Sequence, residues 1–269
     1  MMSVPHHDRG AAEAFLAELP AISRKVINQY FRQAFTVERK ADDSPVTIAD
    51  KTAEAALRRA ISEAFPDHAI VGEEQGGIIG DGLSWIIDPI DGTRSFITGR
   101  PLFGTLIGIV DAGIPVSGLI DMPALNETYR TENGQSICTT ASGTSQIKTR
   151  DCMALAEAHI ATTAPNAFTA SGWEAFSAVK DRCASSVYGG DCYNYALLAA
   201  GHLDIVIEHQ LAAYDMMALV PILQGAGAFV TDWNGESVTV NSDGSLLVCA
   251  THTLHQEALG VLRAEVSQH

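Results

Sequence analysis

Trp85-Ile86-Ile87-Asp88-Pro89-Ile90-Asp91-Gly92-Thr93-Arg94-Ser95-Phe96-Ile97-Thr98-Gly99-Arg100-Pro101 is the stretch on which the reading of this chain turns. Trp85, Ile86 and Ile87 form an apolar run that predicts the end of a buried strand, and Pro89 biases Asp88 toward extended backbone. Asp88 is therefore expected at the strand's exit. Asp91 and Gly92 signal a turn, and the residues after them can open a helix whose first N–H groups, those of Gly92, Thr93 and Arg94, lack intrahelical acceptors. Such a corner attracts anions. Two carboxylates three residues apart beside free amides can hold divalent cations on one side and a phosphate on the other. An Asp-x-x-Asp alone is also what a strand-to-helix turn uses for capping, so the rest of the chain must decide.

The chain has 269 residues, 46% hydrophobic and 18% charged, enough for one large domain or two tightly joined halves with a substantial core. Its formal net charge of −15, with no run of Lys and Arg, excludes a nucleic-acid surface. An acidic protein that takes a phosphorylated substrate needs bound cations and local amides to reverse the potential at the site. No basic segment followed by an apolar core opens the sequence, and no apolar stretch approaches the roughly 20 residues of a spanning helix, so no membrane is expected and the location expected is cytoplasmic. The five cysteines, Cys138, Cys152, Cys183, Cys192 and Cys249, are scattered without Cys-x-x-Cys spacing, which predicts mostly reduced core residues rather than a disulfide framework or a zinc site, with Cys192 set apart by its neighbours Gly189-Gly190-Asp191.

Apolar positions at helical spacing predict a long helix over 11–35, broken or bent near Pro20, and a second helix that starts at Thr47-Ile48-Ala49-Asp50, a capping-box pattern, and ends before Pro66. Residues 36–45 between them are polar and charged. Ala69-Ile70-Val71-Gly72-Glu73-Glu74 reads as a short strand ending in two acids, of which alternation lets only one face the same cluster as Asp88. Segments 103–110 and 115–122 predict strands joined by Asp111-Ala112-Gly113, and 127–130 with 135–138 a further pair around Asn133-Gly134. Such a meander implies a largely antiparallel sheet with helices outside it. Thr, Ser and Gly at 139–145 mark the best seam, giving one domain over 5–267 in two halves, about 5–140 and 146–267.

In the second half, strands are expected at 159–162, 186–188 and 203–208. Gly189-Gly190-Asp191-Cys192 precedes a helix over 193–200 closed by Gly201, a second anion- or substrate-facing corner. Asp215 opens an apolar helix over 216–226 that holds Pro221, and could serve there simply as an N-cap. A tail helix over 254–266 carries His255, which with His252 is placed on its surface with no catalytic role.

The string from Trp85 resembles the metal-binding signature of the inositol monophosphatase family. Two further motifs match in the family's order: the acid pair at Glu73, and Tyr214-Asp215 followed by an apolar, glycine-ended helix through Leu219, Leu223, Gly225 and Gly227. The resemblance implies an α+β fold, the layered α-β-α-β-α sandwich of the sugar and inositol phosphatases. It implies a hydrolase that cleaves small phosphate monoesters with two or three Mg2+. Glu73, Asp88 and the Ile90 carbonyl would hold one ion, and Asp88, Asp91 and Asp215 a second. Asp88 and the pair Glu73 and Thr93, which orients a water, would be catalytic, while the amides of Gly92 and Thr93 and the Asp91 side chain face the phosphate. In the family a loop matching Lys40 and Asp43 lies near a weakly held third metal, although Asp43 could equally be a solvated helix-terminal charge. A homodimer is expected on the same grounds.

Asp91 to Phe96, Pro101-Leu102-Phe103-Gly104-Thr105 and Gly189-Gly190-Asp191-Cys192-Tyr193 further resemble the branch of the family that acts on histidinol phosphate in histidine biosynthesis. Its substrate carries an ammonium and an imidazole, which Asp191 and Glu208 would suit, with Asn194 offering an amide to the ring. Asp191 as a plain helix cap is the alternative. Inositol monophosphate or another small phosphate is the rival substrate, and a metal- and phosphate-binding regulator without turnover the rival function.

Overall fold

The computed structural model describes residues 6–40 and 45–266. Its first part is helical: α1 (His6–Leu16), α2 (Leu19–Tyr30) and, after a short antiparallel ribbon of β1 (Val37–Arg39) and β2 (Pro45–Thr47), α3 (Ile48–Ala64). The helix expected over 11–35 is broken near Pro20, as anticipated, into two helices. The break falls at Ala17 and Glu18 because Pro20, lacking an N–H, sits within the first turn of α2 where no donor is missed. The second helix stops at Tyr30, where Arg32 turns to φ 60. Thr47 and Asp50 form the expected capping box, with Thr47 Oγ1 accepting from Ala49 N and Asp50 Oδ2 accepting from Thr47 N.

A seven-stranded sheet follows in the order β3 (Ala69–Gly72), β4 (Leu83–Asp91), β5 (Gly104–Asp111), β6 (Ile114–Met122), β7 (Glu127–Glu132), β8 (Gln135–Thr140) and β9 (Gly143–Gln146), antiparallel throughout except for β3 with β4. The segment chosen as a seam, 139–145, is the β8–β9 hairpin. Its Thr and Ser residues are polar because β9 is an exposed edge. A second sheet has the order β11 (Ser185–Tyr188), β10 (His159–Thr162), β12 (Ile205–Glu208), β14 (Leu246–Cys249), β13 (Phe229–Thr231), its first three strands parallel and the last two antiparallel.

The faces of the strands decide how these pieces stack. On β4, Trp85 and Ile87 pack with Leu16, Leu19, Leu57 and Ile61 of the N-terminal helices, while Ile86 points the other way, into the largest core cluster. That cluster also receives Tyr195 and Leu198 of α6 (Cys192–Ala199), Leu219 and Leu223 of α8 (Leu219–Gly225), and Val206 and Val248 from one face of the second sheet. The opposite face of that sheet, with Ile160, Ile205 and Leu247, packs on Phe176 of α5 (Ala170–Lys180) and Leu254 and Leu262 of α9 (His252–Val266). Helices, sheet, helices, sheet, helices: the chain is an α-β-α-β-α sandwich.

The middle helices sit hard against the first sheet at two glycines. A Cβ on Gly118 would lie 2.0 Å from the Ala218 carbonyl oxygen, and one on Gly108 2.7 Å from the Met217 carbonyl carbon. The apolar helix expected over 216–226 is accordingly two short ones, α7 (Ala213–Met216) and α8, parted at Met217 and Ala218. His255 is not on the surface of the tail helix. It is buried, and its Nε2 lies 2.8 Å from Thr231 Oγ1. Cys138, Cys152, Cys192 and Cys249 are buried and all five cysteines are free thiols.

Candidate active site

Asp88 does not sit at a strand's exit. β4 continues through Pro89 and Ile90 to Asp91, and the pairing explains why it can: Asp88 faces Leu106 and Asp91 faces Gly104, three steps on one strand against two on the other. This β-bulge tolerates the proline and, by adding one residue, restores parity, so that Asp88 and Asp91 emerge on the same side. Thr105 Oγ1 donates to the Pro89 carbonyl at 2.8 Å and Asp88 Oδ1 accepts from Ile90 N at 3.0 Å, which fix the bulge. Asp215 arrives from α7, its Oδ2 accepting from Ala212 N at 2.7 Å, so it caps its helix and still offers an oxygen to the cluster. One carboxylate oxygen from each of Asp88, Asp91 and Asp215 falls within 4.8 Å of the others.

Burial first, and then mutual repulsion, pushes the Asp88 and Asp91 carboxyls well above the ordinary range, and burial pushes Asp215 up to about 7. Three clustered carboxylates, opposed at Asp215 only weakly by the field of Lys40, resist ionisation, which a divalent cation would reverse. The donor set is entirely oxygen, the set that suits Mg2+ rather than zinc.

Glu73 follows β3 and its N–H donates to Ile87 O at 3.0 Å. The alternation argument for the acid pair fails here. Residues 73–75 form a turn, not strand, and Lys40 Nζ lies 2.7 Å from both Glu73 Oε1 and Glu74 Oε1. Although burial works against its charge, these hydrogen bonds hold the Lys40 ammonium above its ordinary value. Asp43 lies outside the described residues.

Thr93 opens α4 (Thr93–Ile97) behind Gly92, whose φ of +83 requires glycine. Thr93 Oγ1 lies 3.1 Å from the Ile90 carbonyl and 3.4 Å from Asp50 Oδ1. Asp50 is thus a site residue that sequence reasoning read only as a cap; its burial at a helix start gave no sign of Thr93. Cys192 lies in the second corner read from the sequence, but its contact was not foreseen: its backbone N–H donates to Asp91 Oδ2 at 2.6 Å.

Glu73, Asp91, Gly92, Thr93, Cys192 and Asp215 line a cleft of about 320 Å³ whose far wall comes from the second sheet and the loops that leave it. Asp191 is on that wall. Its side chain makes no capping bond to α6; Oδ2 instead accepts from Ser95 Oγ of α4 at 2.9 Å, and the backbone holds the uncommon φ 48, ψ −138. Burial raises its pKa against the Ser95 hydrogen bond and the fields of Arg94 and Arg100. Glu208, at the end of β12, accepts from Thr163 N at 2.6 Å and Thr162 Oγ1 at 3.1 Å, and burial lifts it to about 7. Asn194 is not placed for the substrate. It is buried and its Nδ2 donates to Gly189 O at 2.9 Å, bracing the glycine turn ahead of α6. Tyr195, which sequence reasoning passed over, lines the cleft with a buried hydroxyl that has no hydrogen-bond partner among the described residues.

Fold and cleft together define a phosphatase scaffold, and comparison with known proteins gives its lineage. A model of the inositol monophosphatase family matches residues 11–268. A chloroplastic bifunctional phosphatase of Arabidopsis thaliana is 43% identical over 247 residues, 88% of this chain and 70% of the relative. A histidinol-phosphatase of Chlorobaculum parvum is 34% identical over 254 residues, 91% and 94% of the two chains. The solved structure of an inositol monophosphatase from Zymomonas mobilis superposes with a TM-score of 0.84 at 37% identity, covering 97% of this chain and all of that one. The chain belongs to the inositol monophosphatase family, a family of metal-dependent phosphoric monoester hydrolases. No helix among the described residues is long and apolar enough to cross a membrane.

Proposed function

We propose that the protein hydrolyses L-histidinol phosphate to L-histidinol and phosphate, using Mg2+. The observation that carries the substrate choice is Asp191: a half-buried carboxylate turned away from its own helix, held by Ser95 on the cleft wall beside the phosphate end. An inositol ring could give that carboxylate only neutral hydroxyl donors, whereas the ammonium of an amino alcohol would pair with its charge. Glu208 supplies a second acid on the same wall. The relative from Chlorobaculum parvum, named a histidinol-phosphatase, agrees with this reading.

In this reading Glu73, Asp88, Asp91, Asp215 and the Ile90 carbonyl hold the metal. Bound there, Mg2+ would supply the positive charge that neutralises the phosphoryl group and makes a water acidic enough to attack. The protein's own groups do the rest. Thr93 Oγ1 can donate to Ile90 O or to Asp50, leaving its lone pairs to accept from a water, and Glu73 orients that water from the other side. Gly92 and Thr93 line the phosphate end. Asp191 and Glu208 fix the amino and imidazole end, so that the ester oxygen is presented in line. Lys40 and Asp43 are proposed to border a third, weaker ion.

The favoured rival is inositol monophosphate, because the Zymomonas mobilis neighbour is named for it. Phosphate release measured side by side on histidinol phosphate, inositol 1-phosphate and glycerol phosphate decides. Histidinol phosphate is expected to give a kcat/KM at least tenfold above the others, and a higher value for inositol phosphate would overturn the choice. We also propose a cytoplasmic homodimer, for which a monomer mass in solution scattering would be the refutation.

A further inference from the structure

The turn that carries Glu73 is closed by five amides, Gly72 to Gly76, and each has a known acceptor. Gly72 N and Gly76 N bond to each other's carbonyl oxygens at 3.0 and 2.9 Å, and Glu73 N donates to Ile87 O. The remaining two, Glu74 N and Gln75 N, donate not to backbone but to a single side chain, Glu54 on α3, at 2.7 Å to Oε2 and 3.0 Å to Oε1. Glu54 is wholly buried, and Arg58, one turn further along α3, donates to it through Nε at 2.7 Å while reaching Ile70 O and Gly76 O with its other nitrogens. The carboxylate lies against the Cα of Gly72, where a Cβ would come within 2.2 Å of Oε1. A buried acid at this spot is costly unless its hydrogen bonds are satisfied, and here they are spent on shaping one turn.

From this geometry we infer that Glu54 is a positioning residue: by accepting the Glu74 and Gln75 amides it fixes the direction in which the Glu73 carboxylate enters the cleft. The inference rests on Glu73 being a metal ligand. Asp50 and Glu54 lie one helical turn apart, so the start of α3 supports the site at two points, Asp50 beside Thr93 and Glu54 beneath Glu73. Groups that orient a ligand set metal affinity, with losses of about 10–100-fold when they are removed.

The test is Glu54→Gln. The amide keeps the shape but presents an N–H₂ to one of two backbone donors, so the turn must rotate. Mg2+ is titrated while the thermal unfolding midpoint of the protein is followed, which needs no turnover. The half-saturating Mg2+ concentration is expected to rise at least fivefold, and kcat at saturating Mg2+ to fall less than fivefold. Ile61→Val, on the same helix in the apolar core, controls for simple loss of stability and should leave the half-saturating concentration unchanged. A shift below fivefold in Glu54→Gln, or an equal shift in Ile61→Val, overturns the inference. Should Glu54→Gln not fold, Gly72→Ala, which keeps the charge but drives the carboxylate off the turn, is read by the same criterion. Glu73→Gln runs alongside. If it shifts Mg2+ binding while the other two do not, only the role of Glu54 falls; if it shifts nothing, the ligand assignment falls and the inference with it.

Discussion

Replacing Asp191 with Asn removes one charge and little else. The side chain keeps its size against Gly92, where a Cβ would already be 2.8 Å from Asp191 Cγ, and an Asn carbonyl can still accept from Ser95 Oγ. What is lost is the charge-assisted bond to the substrate ammonium, worth roughly 1.5–3 kcal/mol, or about 10- to 150-fold in kcat/KM on histidinol phosphate. Glycerol phosphate has no amine and never makes that bond. Because Asp191 also raises the Asp91 carboxyl by repulsion, its neutralisation relieves the metal cluster, and turnover of glycerol phosphate should stay level or rise slightly. The assay is initial-rate phosphate release on both substrates at saturating Mg2+, and the quantity is their ratio of kcat/KM. An equal fall on both would refute the reasoning, since it would make Asp191 a scaffold residue of α6 and α4 with no hand in discrimination.

Three more outcomes are expected. Asp88→Asn and Asp215→Asn should each abolish Mg2+-dependent turnover yet leave the metal-free fold at least as stable, by circular dichroism and thermal melting, because each removes a carboxylate that repels its neighbours; near-normal activity in either would refute their place as ligands. Asp215 and Glu208 both titrate near 7 in the fold, above their ordinary values, so their protonation favours the folded state: that stability is complete below about pH 4 and lost as pH rises through 7. The chelated protein should therefore melt at a lower temperature at pH 8 than at pH 6, with added Mg2+ flattening the difference, and a pH-independent midpoint would count against it. Gly118→Ala forces a methyl onto the Ala218 carbonyl and should cost about 1–3 kcal/mol, or roughly 2–12 °C in the melting midpoint, together with weaker Mg2+ binding as α7 is pushed off; an unchanged midpoint would refute the close seating.

What the sequence disclosed followed from locality. The capping box of Thr47 and Asp50, the Asn133-Gly134 hairpin and the strand before Asp88 are each written within a few residues, and the structure has all three. The features that escaped depend on partners far away in the chain. Leu246–Cys249 is a four-residue apolar run that becomes a strand because it pairs with β12, some forty residues earlier, and the exposed Val37–Arg39 becomes one by pairing with β2. The bulge at Pro89 needs knowledge of the Asp88 and Asp91 partners on β5. In the candidate site, types that announce chemistry, such as acids at strand ends, were visible. Asp50, Glu54 and the Cys192 amide were not, because nothing in a helix start says which turn it will lie beneath. Asn194, read by its amide as a substrate contact, turned out to be needed by the Gly189 carbonyl.

The two backbone-tight glycines of the first sheet bear on the order in which the protein is made. Asp88 and Asp91 are already in place once the chain up to Gln146 has emerged and paired its strands, but the third carboxylate of the cluster, Asp215, is synthesised about seventy residues later and is seated only when Met217 and Ala218 close onto Gly108 and Gly118. A nascent chain halted anywhere before that point carries Glu73, Asp88 and Asp91 but lacks the Asp215 carboxylate that completes the proposed ligand set. On the proposed ligand set, a cation would be held by all of its acids only in the finished molecule, so metal binding would favour the last docking event of folding over the intermediates that precede it.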